Sequence, residues 1–95
     1  MRTIFKYPLK LIDVQELQTH ESTQVMSVQM QEGVICLWAA VDPTLPKCKM
    51  FISIVGTGNA APQTEQWNYV GTVQQEGFVW HVHVAKPITS LGSVT

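Results

Sequence analysis

Val25-Met26-Ser27-Val28-Gln29-Met30-Gln31-Glu32-Gly33-Val34-Ile35-Cys36-Leu37-Trp38-Ala39-Ala40-Val41 reads as one long β-hairpin. On its first arm Met26, Val28 and Met30 alternate with Ser27, Gln29 and Gln31, the period-two pattern of a strand with one buried and one wet face. The second arm is apolar at every position from Val34 to Val41, so both of its faces are expected to be covered. One face would meet the chain's own core, and the other something further. Glu32-Gly33 supplies the turn, with Gly33 taking the positive φ that a primed hairpin turn requires. Two registers are open. A two-residue loop sets Met30 opposite Ile35, Val28 opposite Leu37 and Met26 opposite Ala39, and leaves Cys36, Trp38 and Ala40 on the second face beside Ser27 and Gln29. A three-residue loop with a glycine bulge sets Met30 opposite Val34, Val28 opposite Cys36 and Met26 opposite Trp38.

Working outward from the hairpin, residues 2–11 carry Ile4, Phe5, Tyr7, Leu9 and Leu11 and predict a strand, with Pro8 at a sheet edge or bulge. Residues 13–23 are polar, without a helical apolar stripe, and read as a connection with room for a short strand or one helical turn. After the hairpin, Asp42-Pro43-Thr44-Leu45-Pro46 stops any strand. In residues 47–57, Cys48, Met50, Ile52 and Ile54 alternate with Lys47, Lys49, Phe51, Ser53 and Val55, giving a strand expected to pair back on the apolar arm. A turn-rich loop, Gly56-Thr57-Gly58-Asn59-Ala60-Ala61-Pro62, leads through Trp67 to a second hairpin about Glu76-Gly77. Its two-residue loop pairs Val73 with Trp80 and Gly71 with Val82, so that Gly71 would leave room for the Trp80 ring. Pro87 is expected to end the last strand. The reading is therefore an all-β protein, a small antiparallel meander of about six strands forming a sandwich or partly closed barrel, with one domain over residues 1–86 and a flexible tail over 87–95. Gln31-Glu32-Gly33 and Gln75-Glu76-Gly77 give the two hairpins a similar design.

Only 14% of the 95 residues are charged while 45% are hydrophobic, so the surface is poorly covered by charge and a homo-oligomer is expected. The net charge of −1 comes with scattered Lys and Arg, which argues against duplex nucleic acid, whose affinity comes from neutralising several phosphates. No apolar run reaches the roughly 20 residues of a membrane span, and no signal peptide is visible. Cys36 and Cys48 fall in strands and are expected as reduced thiols of a cytoplasmic protein.

His81 and His83 lie two apart on one strand and share a face, opposite Thr72 and Val70. A third metal ligand would have to come from His20 or a cysteine, so they read as surface or ligand-contacting groups, with no metal and no cofactor. No serine elbow, acidic pair or Cys–His pair is suggested, which points away from an enzyme. Gly56-Thr57-Gly58 could offer backbone N–H groups to a phosphate but lacks the helix and lysine of a P-loop. Trp80 is assigned to the core, whereas Trp38 and Trp67 could stack on a flat ligand or plug an interface. The candidate ligand site is Gly56, Thr57, Gly58, Asn59, Trp67, His81 and His83, with the loop and the Trp67 ring closing over the histidine face.

The segments Ile4-Phe5-Lys6-Tyr7-Pro8-Leu9, Val28 to Pro43, Ile54-Val55-Gly56-Thr57-Gly58, Tyr69-Val70-Gly71-Thr72-Val73-Gln74 and Phe78-Val79-Trp80-His81-Val82 together resemble a family of short accessory proteins of tailed phages and prophages. The likeness covers residues 2–84 and departs from the family pattern after Lys86. It implies a protein working in the host bacterial cytoplasm and carries over no catalytic residues. Three readings follow from it. The chain is a counter-defence sponge that sequesters a nucleotide-derived immune signal, or an inhibitor or adaptor binding a host defence protein through a sheet face or edge, or a minor structural phage protein.

Overall fold

The computed structural model describes residues 1–62 and 65–88. It holds seven strands: β1 (Thr3–Pro8), β2 (Val14–His20), β3 (Gln24–Gln31), β4 (Val34–Val41), β5 (Lys47–Gly56), β6 (Trp67–Gln75) and β7 (Phe78–Ile88). All pairings are antiparallel, in a three-stranded sheet ordered β1-β4-β3 and a four-stranded sheet ordered β2-β5-β7-β6. The two sheets pack face to face as a sandwich and do not close into a barrel. The all-β reading therefore holds, and no helix occurs among the described residues.

The first hairpin takes the two-residue register, with Gln31 opposite Val34, Met30 opposite Ile35 and Val28 opposite Leu37. Glu32 and Gly33 both have positive φ, 51° and 82°, the pair of left-handed residues that a type I′ turn uses. Beyond Ser27 the register departs from expectation. Met26 is an extra residue, so Val25 rather than Met26 faces Ala39, and Met26 turns out to solvent. On β4, Ile35, Leu37, Ala39 and Val41 point inward and are all buried. The other face carries Cys36 and Trp38 beside Gln29 and Ser27. That face is only partly covered within the chain: the Lys6 ammonium on β1 donates to Gln31 on β3 at 2.7 Å, crossing over β4, and Cys36 is only 2% exposed, but Val34 is 41% exposed and Trp38 and Ala40 are half-buried.

Three further expectations are corrected. Residues 14–20, expected as a connection with room for a short strand, are a strand over seven residues; Leu17 points inward, but its inward neighbours are Gln15 and Thr19, and two polar groups on a buried face hide the alternation that hydropathy would show. Thr19 is nonetheless buried, because its hydroxyl bonds Tyr7 Oη at 3.0 Å and Thr23 Oγ1 at 2.9 Å. The strand β5 does not return to β4, whose two edges are taken by β1 and β3. It crosses instead to the second sheet after a turn held by Asp42, whose carboxylate accepts from the Thr44 backbone N–H at 3.0 Å and hydroxyl at 2.6 Å. Those bonds hold the Asp42 carboxyl below its ordinary range. Finally, β7 runs through Pro87 to Ile88, because Lys86 and Pro87 together oppose the single residue Met50 in a bulge, where a missing N–H costs no ladder bond. The remainder of the expected tail lies outside the described residues.

Leu37, Met50, Ile52 and Val82 are at most 1% exposed and form the centre of the core, with Leu9, Val28, Ile35, Ile54, Val73 and Val84 around them. At one side of the sandwich β3 meets β6. A Cβ on Gly71 would lie 2.9 Å from Val28 Cγ1, so the close approach of the two strands depends on that glycine. At their turns the two hairpins are tied by Gln75 Nε2 donating to the Gly33 carbonyl at 2.8 Å.

Candidate functional site

The second hairpin repeats the turn of the first, with Glu76 at φ 51° and Gly77 at 86°. Its register pairs Val73 with Trp80, Gly71 with Val82 and Thr72 with His81. Val82 and Val84 go inward, which sends His81, His83 and Ala85 to the outer face of the four-stranded sheet. Val70 is an extra residue in β6, so His83 lies opposite Tyr69 and not Val70. The glycine that accommodates Trp80 is Gly56 rather than Gly71: a Cβ on Gly56 would sit 3.2 Å from Trp80 Cζ3. Trp80 packs against the core, partly buried.

On that outer face the side chains form a bonded row. Tyr69 Oη bonds Thr72 Oγ1 at 2.5 Å, Thr72 Oγ1 bonds His81 Nδ1 at 3.0 Å, and His81 Nε2 bonds Thr57 Oγ1 at 2.8 Å. Three elements therefore contribute: β6 gives Tyr69 and Thr72, β7 gives His81, and the loop after β5 gives Thr57. Each hydroxyl can donate or accept, so the row fixes the imidazole in place with either ring nitrogen protonated. Beside it the Tyr69 and His83 rings meet edge to face at 5.6 Å. Burial, with the neighbouring His81 adding to it, pushes the His83 imidazole below its ordinary range. Its Nδ1 is buried without a hydrogen-bond partner among the described residues.

A cavity of about 340 Å³ opens here, lined by Gly56, Thr57, Gly58 and Asn59 from the loop and by Tyr69, His81 and His83 from the sheet. Six of the seven residues expected at the site are thus brought together. Trp67 is not among them. It pairs with Ala85 and lines a neighbouring cavity of about 560 Å³ with Asp13, Asn59, Pro62 and Trp80. The two cavities meet at Val55, Gly56, Asn59 and Ala61, so the loop lies between Trp67 and the histidines instead of carrying the ring over them. Reasoning from sequence missed Tyr69 and Thr72. The signal was present, since the turn at Glu76-Gly77 already places Thr72 across from His81; the bulge that brings Tyr69 to His83 left none.

The loop offers little to a phosphate. Thr57 N–H donates to the Val79 carbonyl at 3.3 Å and Asn59 N–H to the Gly56 carbonyl at 3.1 Å, so two of its amides are spent within the protein. Gly58, at φ 93°, closes this tight turn. Among the described side chains, no lysine or arginine lines the cavity. Thr57 and His81 have the spacing of a hydroxyl nucleophile and its base, but the group behind the imidazole is the neutral Thr72 hydroxyl and not a carboxylate. Among the described residues no group of three His, Cys, Asp or Glu is placed to hold a metal. Likewise, no helix among them is long and apolar enough to cross a membrane.

Residues 1–90 match the model of a family described as a domain of unknown function, DUF7352. No curated protein and no solved structure matches the chain.

Proposed function

We propose that this chain, which belongs to the DUF7352 family, is a non-enzymatic binding protein that sequesters a nucleotide-derived small molecule on the outer face of its four-stranded sheet. The observation that carries the reading is the row Tyr69–Thr72–His81–Thr57, a preorganised set of neutral donors and acceptors beside a cavity with an aromatic wall. Such a site suits a flat ring with hydrogen-bonding edges. The Tyr69 and His83 rings offer apolar surface to a base, and the hydroxyls, the imidazole and the Asn59 amide offer partners to its edge or to a ribose. With no cation among the described lining residues, the base and sugar supply more of the recognition than the phosphates do. The resemblance to phage and prophage accessory proteins gives the sequestration a purpose, removal of an immune signal in the host bacterial cytoplasm. The low charge of the chain favours a homo-oligomer as the working form.

A second reading rests on a different surface. Leu11, Ile12 and Val14, near one another in sequence before and at the start of β2, are each about half exposed, and an apolar stretch of that kind suits a host protein partner. Calorimetric titration separates the two. Adenosine, cyclic di- and trinucleotides and ADP-ribose are titrated into the wild type, Tyr69→Ala, His81→Ala and Trp67→Ala. Binding that falls at least tenfold in the first two variants and persists in Trp67→Ala is the expected result. An absence of heat with every compound in the wild type overturns the nucleotide reading in favour of a protein partner.

A further inference from the structure

Three irregularities of the sheets fall at one place. Met26 is an extra residue in β3, Val70 is an extra residue in β6, and the Lys86–Pro87 bulge of β7 stands opposite Met50 of β5. Met26, Met50 and Val70 all line a single cavity of about 370 Å³ that opens between the two sheets. Each bulge interrupts a ladder, and bulges gather where a side chain must be re-aimed beside a site. Neither hairpin turn requires them, since both are two-residue turns whose registers run undisturbed as far as Ser27 and Gly71.

The lining has a definite chemistry. Met50, 1% exposed, belongs to the closed core, while Met26, 56% exposed, stands toward solvent. Val25, Val70 and Val84 add apolar wall, and Asn68 and Tyr69 are neutral polar groups. Among the described side chains, none that lines the cavity is charged. Unbranched thioethers adapt to irregular shapes and make favourable contacts with aromatic rings, and the volume lies within the range of small-molecule pockets, roughly 300–1,000 Å³. We infer that this inter-sheet cavity is a second binding site, adjoining the histidine face at Tyr69, for a small uncharged aromatic molecule with one hydrogen-bonding group. The ring lies against the Met26 thioether at the mouth, with Met50 at the floor of the cavity, and the polar group meets Asn68.

The chain has four methionines, two in the cavity (Met26 and Met50) and two outside it (Met1 and Met30), which gives the test internal controls. Indole is titrated into protein carrying 13C-methyl methionine. Saturable shifts of the Met26 and Met50 methyl signals, with Met1 and Met30 unmoved, are expected. Indole-3-acetate, with the same ring and a negative charge, should bind at least tenfold more weakly. Val70→Phe, which fills the cavity, should weaken indole at least tenfold, and Met26→Lys, at an exposed position that spares the fold, should weaken it several-fold. His81→Ala should leave indole binding unchanged. Shifts that do not saturate, shifts shared by all four methionines, or indole affinity unaltered in Met26→Lys overturns the inference.

Discussion

The two hairpins of this protein share a turn and differ in what their second strand does with its outer face. Both close through Glu-Gly with the first residue at φ 51° and the glycine at 82° or 86°, and both place an apolar row toward the same core. On β4 the opposite row is Val34, Cys36, Trp38 and Ala40, of which only Cys36 is buried, and a lysine–glutamine bond arches across from the neighbouring strands. On β7 the opposite row is Val79, His81, His83 and Ala85; His81 is tied to Thr72 and Thr57 by hydrogen bonds, and both histidines line a cavity. The fold needs only one face from each strand. The free-face row of β4 is apolar and buries Cys36, whereas that of β7 carries two histidines beside a cavity, one of them held by hydrogen bonds, and so is available for recognition.

Substitutions can break or sharpen that contrast. The inward rows should behave alike: Leu37→Ala in β4 should cost about 4 kcal/mol and Trp80→Ala in β7, whose ring is less fully buried, about 3 kcal/mol by urea unfolding. A loss below about 1 kcal/mol for Trp80→Ala would take that ring out of the core. The outward rows should differ. Cys36→Ser buries a hydroxyl in place of a thiol and should cost about 2 kcal/mol, whereas His81→Ala on the exposed row should cost about 1 kcal/mol or less. Equal losses would mean that the histidine row also serves the fold. The turns should be interchangeable, with Gly33→Ala and Gly77→Ala each costing about 1 kcal/mol, because either glycine holds a positive φ with open space around it. Clearly unequal costs would show that the two turns are not under the same constraint.

The smallest expected effect is on pH. The His83 imidazole in the folded protein sits below its ordinary range, so the unfolded chain binds more protons as the solution is acidified. Its contribution to stability is complete above the unfolded value near 6.5 and is lost as the pH falls from there toward the folded value. Urea midpoints measured at pH 7.5 and pH 5 should differ less in His83→Gln than in the wild type. An unchanged difference would assign the pH dependence to other groups.

Much of this was legible in the sequence. Both hairpin turns follow from Glu-Gly between alternating runs, and six of the seven residues expected at the site do converge. What escaped has physical causes. β2 is hidden because Gln15 and Thr19 occupy inward positions, the latter satisfied by the Tyr7 hydroxyl, a bond between residues 12 apart that no local pattern announces. Which sheet β5 joins depends on β1 having taken the free edge of β4, a competition between strands far apart in sequence. The bulge at Val70 moves Tyr69 onto His83 and so sets the wall of the site, yet nothing in Tyr69-Val70-Gly71 marks it.

We propose that recognition takes place on the outer row of β7, and the imidazole nitrogen signals of the three histidines, followed while adenosine is added, report on it. The His81 and His83 signals should move together with a saturable profile, while His20, whose Nδ1 lies 2.8 Å from the Leu45 carbonyl near the start of β5, stays in place. Saturable binding that leaves the His81 and His83 signals unmoved would place the site elsewhere.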